Sequence, residues 1–149
     1  MKPEISKLLL DNYFVSAISV NANNAFDVNR SMDLTVNDLI IDSHAVMIAD
    51  DVRHWQVVLN VSFNQTTKIN SPYSFSVEVV GFFSIVENYP EDLAEWLVKT
   101  NASSVLFSVA RETLRSSMAS GPWKPIILPT VSFYTQETKD FLKNRPHVK

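Results

Sequence analysis

The run Tyr73-Ser-Phe75-Ser-Val77-Glu78-Val79-Val80-Gly81-Phe-Phe83-Ser-Ile85, continued by Pro90-Glu91-Asp92, by Asn101-Ala-Ser-Ser-Val-Leu106-Phe107-Ser-Val-Ala110-Arg111-Glu112 and by Gly121-Pro-Trp123-Lys-Pro125-Ile-Ile-Leu128-Pro129-Thr-Val131-Ser-Phe133, decides the fold, because its hydrophobic period changes along the way. Tyr73, Phe75, Val77 and Val79 alternate with Ser74, Ser76 and Glu78, the pattern of a half-buried strand. Pro90 with Glu91 and Asp92 then opens a helix, with carboxylates at the positive end of its dipole, and Leu93, Trp96 and Leu97 form its apolar stripe. A longer helix is predicted from about Ser104 to Ala119, with Leu106, Val109, Ala110, Thr113, Leu114 and Met118 on one side and Gly121-Pro122 as its stop. Pro122, Pro125 and Pro129 enforce an extended exit without a continuous ladder. A third helix, about Gln136 to Asn144, carries Phe141 and Leu142.

Working backwards, Trp55, Val57, Leu59, Val61 and Phe63 alternate with polar residues, and Lys68-Ile-Asn-Ser71-Pro72 supplies turn chemistry. The two flanking runs are therefore expected to form a hairpin with a long connection. Met32, Leu34 and Val36 alternate with Asp33, Thr35 and Asn37 and predict another strand. Leu9 to Val20 predicts a fourth, in which the consecutive Tyr13, Phe14 and Val15 imply cover on both faces or an edge position. Residues 38–50 are apolar without a clean period and are read as an irregular connection or a short extra strand. Strands first and helices after predict one α+β domain over 1–149, a four-stranded antiparallel sheet with helices packed on one face.

Composition narrows the chemistry. A chain of 149 residues that is 46% hydrophobic can fill a core unaided, and with no cysteine it has neither disulfides nor thiolate sites, which suits a reducing cytoplasm. No apolar run approaches the roughly 18 residues of a membrane helix. The net charge is −3 with scattered basic residues, so no nucleic-acid footprint is present, and two glycines cannot build a phosphate cradle. His44, His54 and His147 lack the short fixed spacing of metal ligands, so no metal is expected. Asp50 and Asp51 point apart in extended chain and read as turn or strand-start residues rather than a catalytic dyad. Ser103 and Ser104 read as helix N-cap candidates, and Arg111 with Glu112 as an anchor to the sheet or neighbouring loops. No enzyme chemistry and no cofactor emerge from these residues. The three tryptophans, four tyrosines and nine phenylalanines are more than so small a domain buries fully, and Trp96, Trp123, Tyr89, Phe133 and Tyr134 lie where apolar surface can stay open to an extended polypeptide.

The quoted segments also carry a resemblance. Gly81-Phe-Phe83-Ser-Ile85 is similar to the strand end, Asn101 to Glu112 to the helix start, and Gly121 to Phe133 to the proline-rich exit of the SecB family of bacterial preprotein chaperones, with a weaker match at Asp50-Asp51-Val52 and Trp55 to Val61. The resemblance implies a holdase that binds unfolded client protein without ATP by many weak contacts along a groove, assembled as a homotetramer, a dimer of dimers. By residue match, Met32, Leu34 and Val36 fall on client-binding surface, and Val77 and Val79 fall where the family places residues affecting assembly; Trp96, Trp123 and Phe133 join the client-binding candidates by their places near helix ends and prolines. The family docks the SecA motor on an acidic sheet face. Ala17 and Asn21 stand where acids are usual and only Glu78 keeps its carboxylate, while Lys139 to Lys149 is basic, so SecA is expected to bind weakly. Two client classes stay open, secretory preproteins and the antitoxin of a toxin-antitoxin-chaperone system; a small-ligand enzyme is the outsider, lacking an identifiable site.

Overall fold

The computed structural model describes residues 1–64, 66 and 68–144, without the side chain of Glu137; His147 and the rest of the basic tail beyond Asn144 lie outside the described residues. Strands β1 (Leu8–Ala22), β2 (Ile40–Ile48), β3 (Asp51–Phe63) and β4 (Tyr73–Ile85) form one antiparallel sheet in the order β1-β4-β3-β2. The β3–β4 pair is its centre, with Leu59 opposite Val79, Val61 opposite Val77 and Trp55 opposite Phe83. Odd-numbered side chains from Trp55 to Phe63 and from Tyr73 to Ile85 face the helices and are buried, whereas Gln56, Asn60, Ser62, Ser76 and Glu78 face outward.

The helical part departs from the two-helix expectation. A 3₁₀ turn at Glu91–Leu93 runs into α1 (Ala94–Leu97), a π-helical turn at Val98–Ala102 and α2 (Ser103–Met118) without a break. Ser103 and Ser104 are therefore not N-caps: no Gly or Pro interrupts the segment, and the Ser104 hydroxyl donates back to the Thr100 carbonyl at 3.0 Å. The π turn has a packing consequence. Ala94, Val98, Ala102, Leu106, Ala110, Leu114 and Met118, spaced by four, are all buried. In an α-helix such a row drifts by about 40° per step, and the wider π turn winds it back toward the sheet. Gly81 lets α2 approach, since a Cβ there would stand 2.7 Å from Leu106 Cδ2 and 2.8 Å from Phe83 Cε2. After Gly121 the chain runs extended to α3 (Gln136–Lys143).

Two strand assignments change. Met32, Leu34 and Val36 do not form a strand: the segment is irregular and closes in a 3₁₀ turn, Val36–Asp38, where the Asp38 carboxylate accepts hydrogen bonds from the Thr35 backbone N–H at 2.8 Å and hydroxyl at 3.0 Å. Local side-chain bonding of this kind competes with a ladder, and both flanks of β3 and β4 are already occupied. The loop is pinned instead by Asn70, 5% exposed, whose amide donates to the carbonyls of Asp27 at 3.1 Å and Ser31 at 3.3 Å and accepts from the Asp27 N–H at 3.0 Å. The fourth strand is β2, from the stretch read as an irregular connection or extra strand. It joins β3 through Ala49 and Asp50, both at positive φ (52° and 55°), the backbone of a two-residue hairpin turn. Edge strand β1 carries bulges around Asp11 and Ser16 that shift its side-chain phase; between them the register is regular, so Tyr13 and Val15 share the face of Gly81 and Val79 while Phe14 lies on the opposite face, beside Phe82.

Candidate functional site

Two grooves gather the aromatic side chains. The first begins with Tyr73, 1% exposed, whose hydroxyl donates to the Trp123 carbonyl at 2.8 Å and accepts from the Trp123 N–H at 2.9 Å. Gly121 lies against that ring, where a Cβ would be 2.8 Å from Tyr73 Cε1. So held, the Trp123 indole donates from Nε1 to the Asn23 carbonyl at 3.1 Å and meets Phe26 edge-on at 5.5 Å. Phe26, Val28, Met32, Pro72, Trp123 and Ile126 line a cavity of about 440 Å³, with Met32 and Val28 exposed at its rim. Its apolar walls suit apolar side chains.

The second groove runs along the π turn. Trp96 is half-buried, Tyr134 meets it edge-on at 6.4 Å, and the indole Nε1–H is buried without a hydrogen-bond acceptor among the described residues. Phe133 packs edge-on against Phe107 at 6.2 Å. Trp96, Thr100, Ser104, Phe133, Tyr134 and Leu142 enclose about 470 Å³. A neighbouring, more polar cavity of about 390 Å³ has Ser43 and Ser103, hydroxyls 2.6 Å apart, and Lys99, paired with Glu95 at 3.2 Å.

The structure brings the predicted client residues together in pairs, Met32 with Trp123 and Trp96 with Phe133. Leu34 packs half-buried on the core and Val36 is exposed on its 3₁₀ turn; neither lines a groove. Val77 and Val79 are 1% and 0% exposed on the helix side of the sheet, so this fold gives their side chains no surface for a second copy; strand periodicity had marked one face as buried, and it is the monomer's own core. Ala17 pairs with Glu78 and Asn21 with Ser74, placing Ala17, Asn21 and Glu78 on the outer sheet face. There the Ser16 hydroxyl donates to Glu78 Oε1 at 2.7 Å. Arg111 reaches the exit segment at Thr130 Oγ1 (3.2 Å), as an anchor should, whereas Glu112 pairs with Arg115 at 2.6 Å. Sequence reasoning missed Phe26 and Leu142; a lone aromatic in the Asn-rich segment 21–29 was the available signal for the first.

Three exposed groups have shifted ionisation. Hydrogen bonds from the Arg53 N–H and then from His54 hold the Asp51 carboxyl below its ordinary value. The Glu112–Arg115 hydrogen bond lowers the acid and raises the guanidinium. None of them lines a groove. Among the described residues no cluster of His, Asp or Glu could hold a metal ion, and no helix is long and apolar enough to cross a membrane.

A sheet covered on one face by helices, with open aromatic-lined grooves on its surface, defines a polypeptide-binding module. The family model described as preprotein translocase subunit SecB matches residues 2–140, and the chain belongs to the SecB family. Among its relatives, the protein-export protein SecB of Dechloromonas aromatica is 28% identical over 126 residues, 83% of this chain and 80% of that protein. An uncharacterized protein of Methanocaldococcus jannaschii is 24% identical over 131 residues, 87% and 82% of the two chains. Among solved structures, the Mycobacterium tuberculosis Rv1957 SecB-like chaperone, in complex with a ChAD peptide from the HigA1 antitoxin, superposes with a TM-score of 0.59 at 13% identity, covering 85% of this chain and 91% of that one. A protein of unknown function from Streptococcus agalactiae gives 0.51 at 12% identity, covering 82% and 96%. By family, this protein is a SecB-like chaperone that binds client polypeptides.

Proposed function

We propose that the protein is an ATP-independent holdase whose clients lay apolar side chains into the Met32–Trp123 and Trp96–Phe133 grooves. The observation that carries this is the pair of aromatic-lined grooves, about 440 and 470 Å³, each bearing a tryptophan and open on the surface, the first almost wholly apolar and the second mixed with Thr100, Asn101, Ser104 and Ser132. Several such weak sites on one chain hold an unfolded segment by multivalency rather than by any one tight contact. Assembly as a cytoplasmic homotetramer, a dimer of dimers, would line up further copies of the grooves. It is supported by Leu10, Tyr13 and Ile18 on edge strand β1, all exposed in the monomer, and light scattering coupled to size exclusion tests it. The main test is delay of aggregation of several unfolded proteins without nucleotide: wild type should delay it, and Met32→Asp with Trp123→Ala should weaken the delay while the fold persists. A wild-type protein that delays none of them sinks the reading.

Between the two client classes, the outer sheet face favours a dedicated client such as an antitoxin. Ala17 and Asn21 leave Glu78 as the one carboxylate of the three positions matched to SecA docking, and Glu78 is already engaged by Ser16. Export with delivery to SecA is the second reading. Gene neighbourhood beside a toxin-antitoxin pair, and calorimetric titration with SecA, separate them.

A further inference from the structure

The two grooves differ in charge. Of the nine described residues that line the Trp123 groove, eight are apolar and the ninth is Lys124. The described residues that line the Trp96 groove include no charged side chain. Lys124 stands between two constraints: Trp123, clamped through its backbone by the Tyr73 hydroxyl, and Pro125, which confines the residue before it to extended backbone. The root of the lysine side chain is therefore fixed at the groove wall. A lysine so placed lays its stem along apolar surface and keeps its ammonium in water.

That ammonium is unclaimed: among the described residues Lys124 is exposed and has no ion pair and no side-chain hydrogen bond. The acids of the loop that supplies Phe26, Val28 and Met32 are committed elsewhere. Asp27 accepts from the Asn29 N–H at 2.9 Å, Asp33 accepts from the Asn70 N–H and pairs with Arg30 at 3.8 Å, and Asp38 accepts from Thr35. The complement of eight apolar residues and one free ammonium is an apolar side chain with a carboxylate beside it.

We propose that Lys124 sets the specificity of the Trp123 groove, which takes an apolar client side chain flanked by aspartate or glutamate, while the Trp96 groove ignores flanking charge. The inference rests on the chaperone reading and narrows the client class at one site. NMR titration of the full chain tests it, with three unstructured peptides identical but for the residues flanking one phenylalanine, Glu, Gln or Lys. The indole N–H resonances of Trp123 and Trp96, assigned with Trp→Phe variants, follow the two grooves separately. At Trp123 the Glu peptide should bind about fivefold tighter than the Gln peptide and about tenfold tighter than the Lys peptide, by a margin that shrinks at high salt. The net charge of −3 favours the Lys peptide at every site, so an acid preference confined to Trp123 marks a local effect. Lys124→Met, which keeps an unbranched apolar stem and drops the charge, should bring the Glu and Gln peptides level, and Lys124→Glu should reverse the order. Equal binding of the Glu and Lys peptides at Trp123, a preference that survives Lys124→Met, or the same preference at Trp96 overturns the assignment. Binding of all three peptides without charge preference defeats the role of Lys124 alone, whereas binding of none defeats the chaperone reading and the specificity with it.

Discussion

Replacing Gly121 by alanine should cost far more than a methyl group on an exposed turn usually does. The added Cβ would stand 2.8 Å from Tyr73 Cε1 and 2.9 Å from Cζ, and closer still to the hydroxyl oxygen. Tyr73 cannot step aside cheaply, because its ring is 1% exposed and its hydroxyl both donates to and accepts from Trp123. Overpacking of this kind costs about 1–3 kcal/mol, and breaking the hydroxyl's buried bonds adds about 1–3 more. A total near 3 kcal/mol is expected, which lowers Tm by roughly 6–12 °C in a chain of this size. Tyr73→Phe, which forfeits the bonds but relieves the worst clash, should cost about 1–2 kcal/mol alone. The double variant should be milder than the sum by about 1 kcal/mol, since the two residues share one contact. Urea denaturation followed by tryptophan fluorescence reads all three variants. A Gly121→Ala cost within about 0.5 kcal/mol, or strict additivity of the pair, would refute the reasoning.

Three further outcomes follow from the geometry. Val79→Asp puts a carboxylate into the core beneath α2 and should abolish cooperative folding or cost several kcal/mol, rather than merely shift the assembly mass; size exclusion with far-UV circular dichroism distinguishes the two. Ala17→Asp with Asn21→Glu should tighten SecA binding by roughly 30-fold in calorimetric titration, two charge-assisted contacts at about 1 kcal/mol each. The same change should cost a few tenths of a kcal/mol in stability, because the carboxylate introduced in place of the Ala17 methyl would face Glu78 across the strands. Asp51 has a lowered pKa in the folded chain, so its contribution is full above its ordinary value of 3.8 and is lost as pH falls through the lowered one; Asp51→Asn should flatten the stability profile in that acidic window, read by urea denaturation across pH.

The central hairpin was legible because β3 from Trp55 onward and all of β4 bury one face, so period two survives along both strands. Strand β2 was obscure for two physical reasons. Its helix-facing positions include the small residues Ser43 and Ala45, and its turn uses Ala49-Asp50 at positive φ in place of the Asn-Gly or Asp-Gly that advertises such a turn. The false strand at Met32–Val36 had the right alternation, but Asn70, far away in sequence, claims the loop through its amide. Of the grooves, the aromatic anchors Trp96, Trp123 and Phe133 could be picked out by their places near helix ends and prolines. Their partners Phe26 and Leu142 depend on tertiary approach, to which no local pattern corresponds.

The π turn at Val98–Ala102 constrains which insertions and deletions this chain can accept. Removing one residue there, even the exposed Asn101, would let the backbone relax into ordinary α-helix at no local cost. Everything downstream would then keep its phase, because the π turn absorbs one residue's worth of rotation, about 100°, and Leu106, Ala110 and Leu114 would still face Gly81. The π turn is thus a place where this helix can lose a single codon and keep its phase, whereas the same deletion within α2 would turn the residues after it by about 100°.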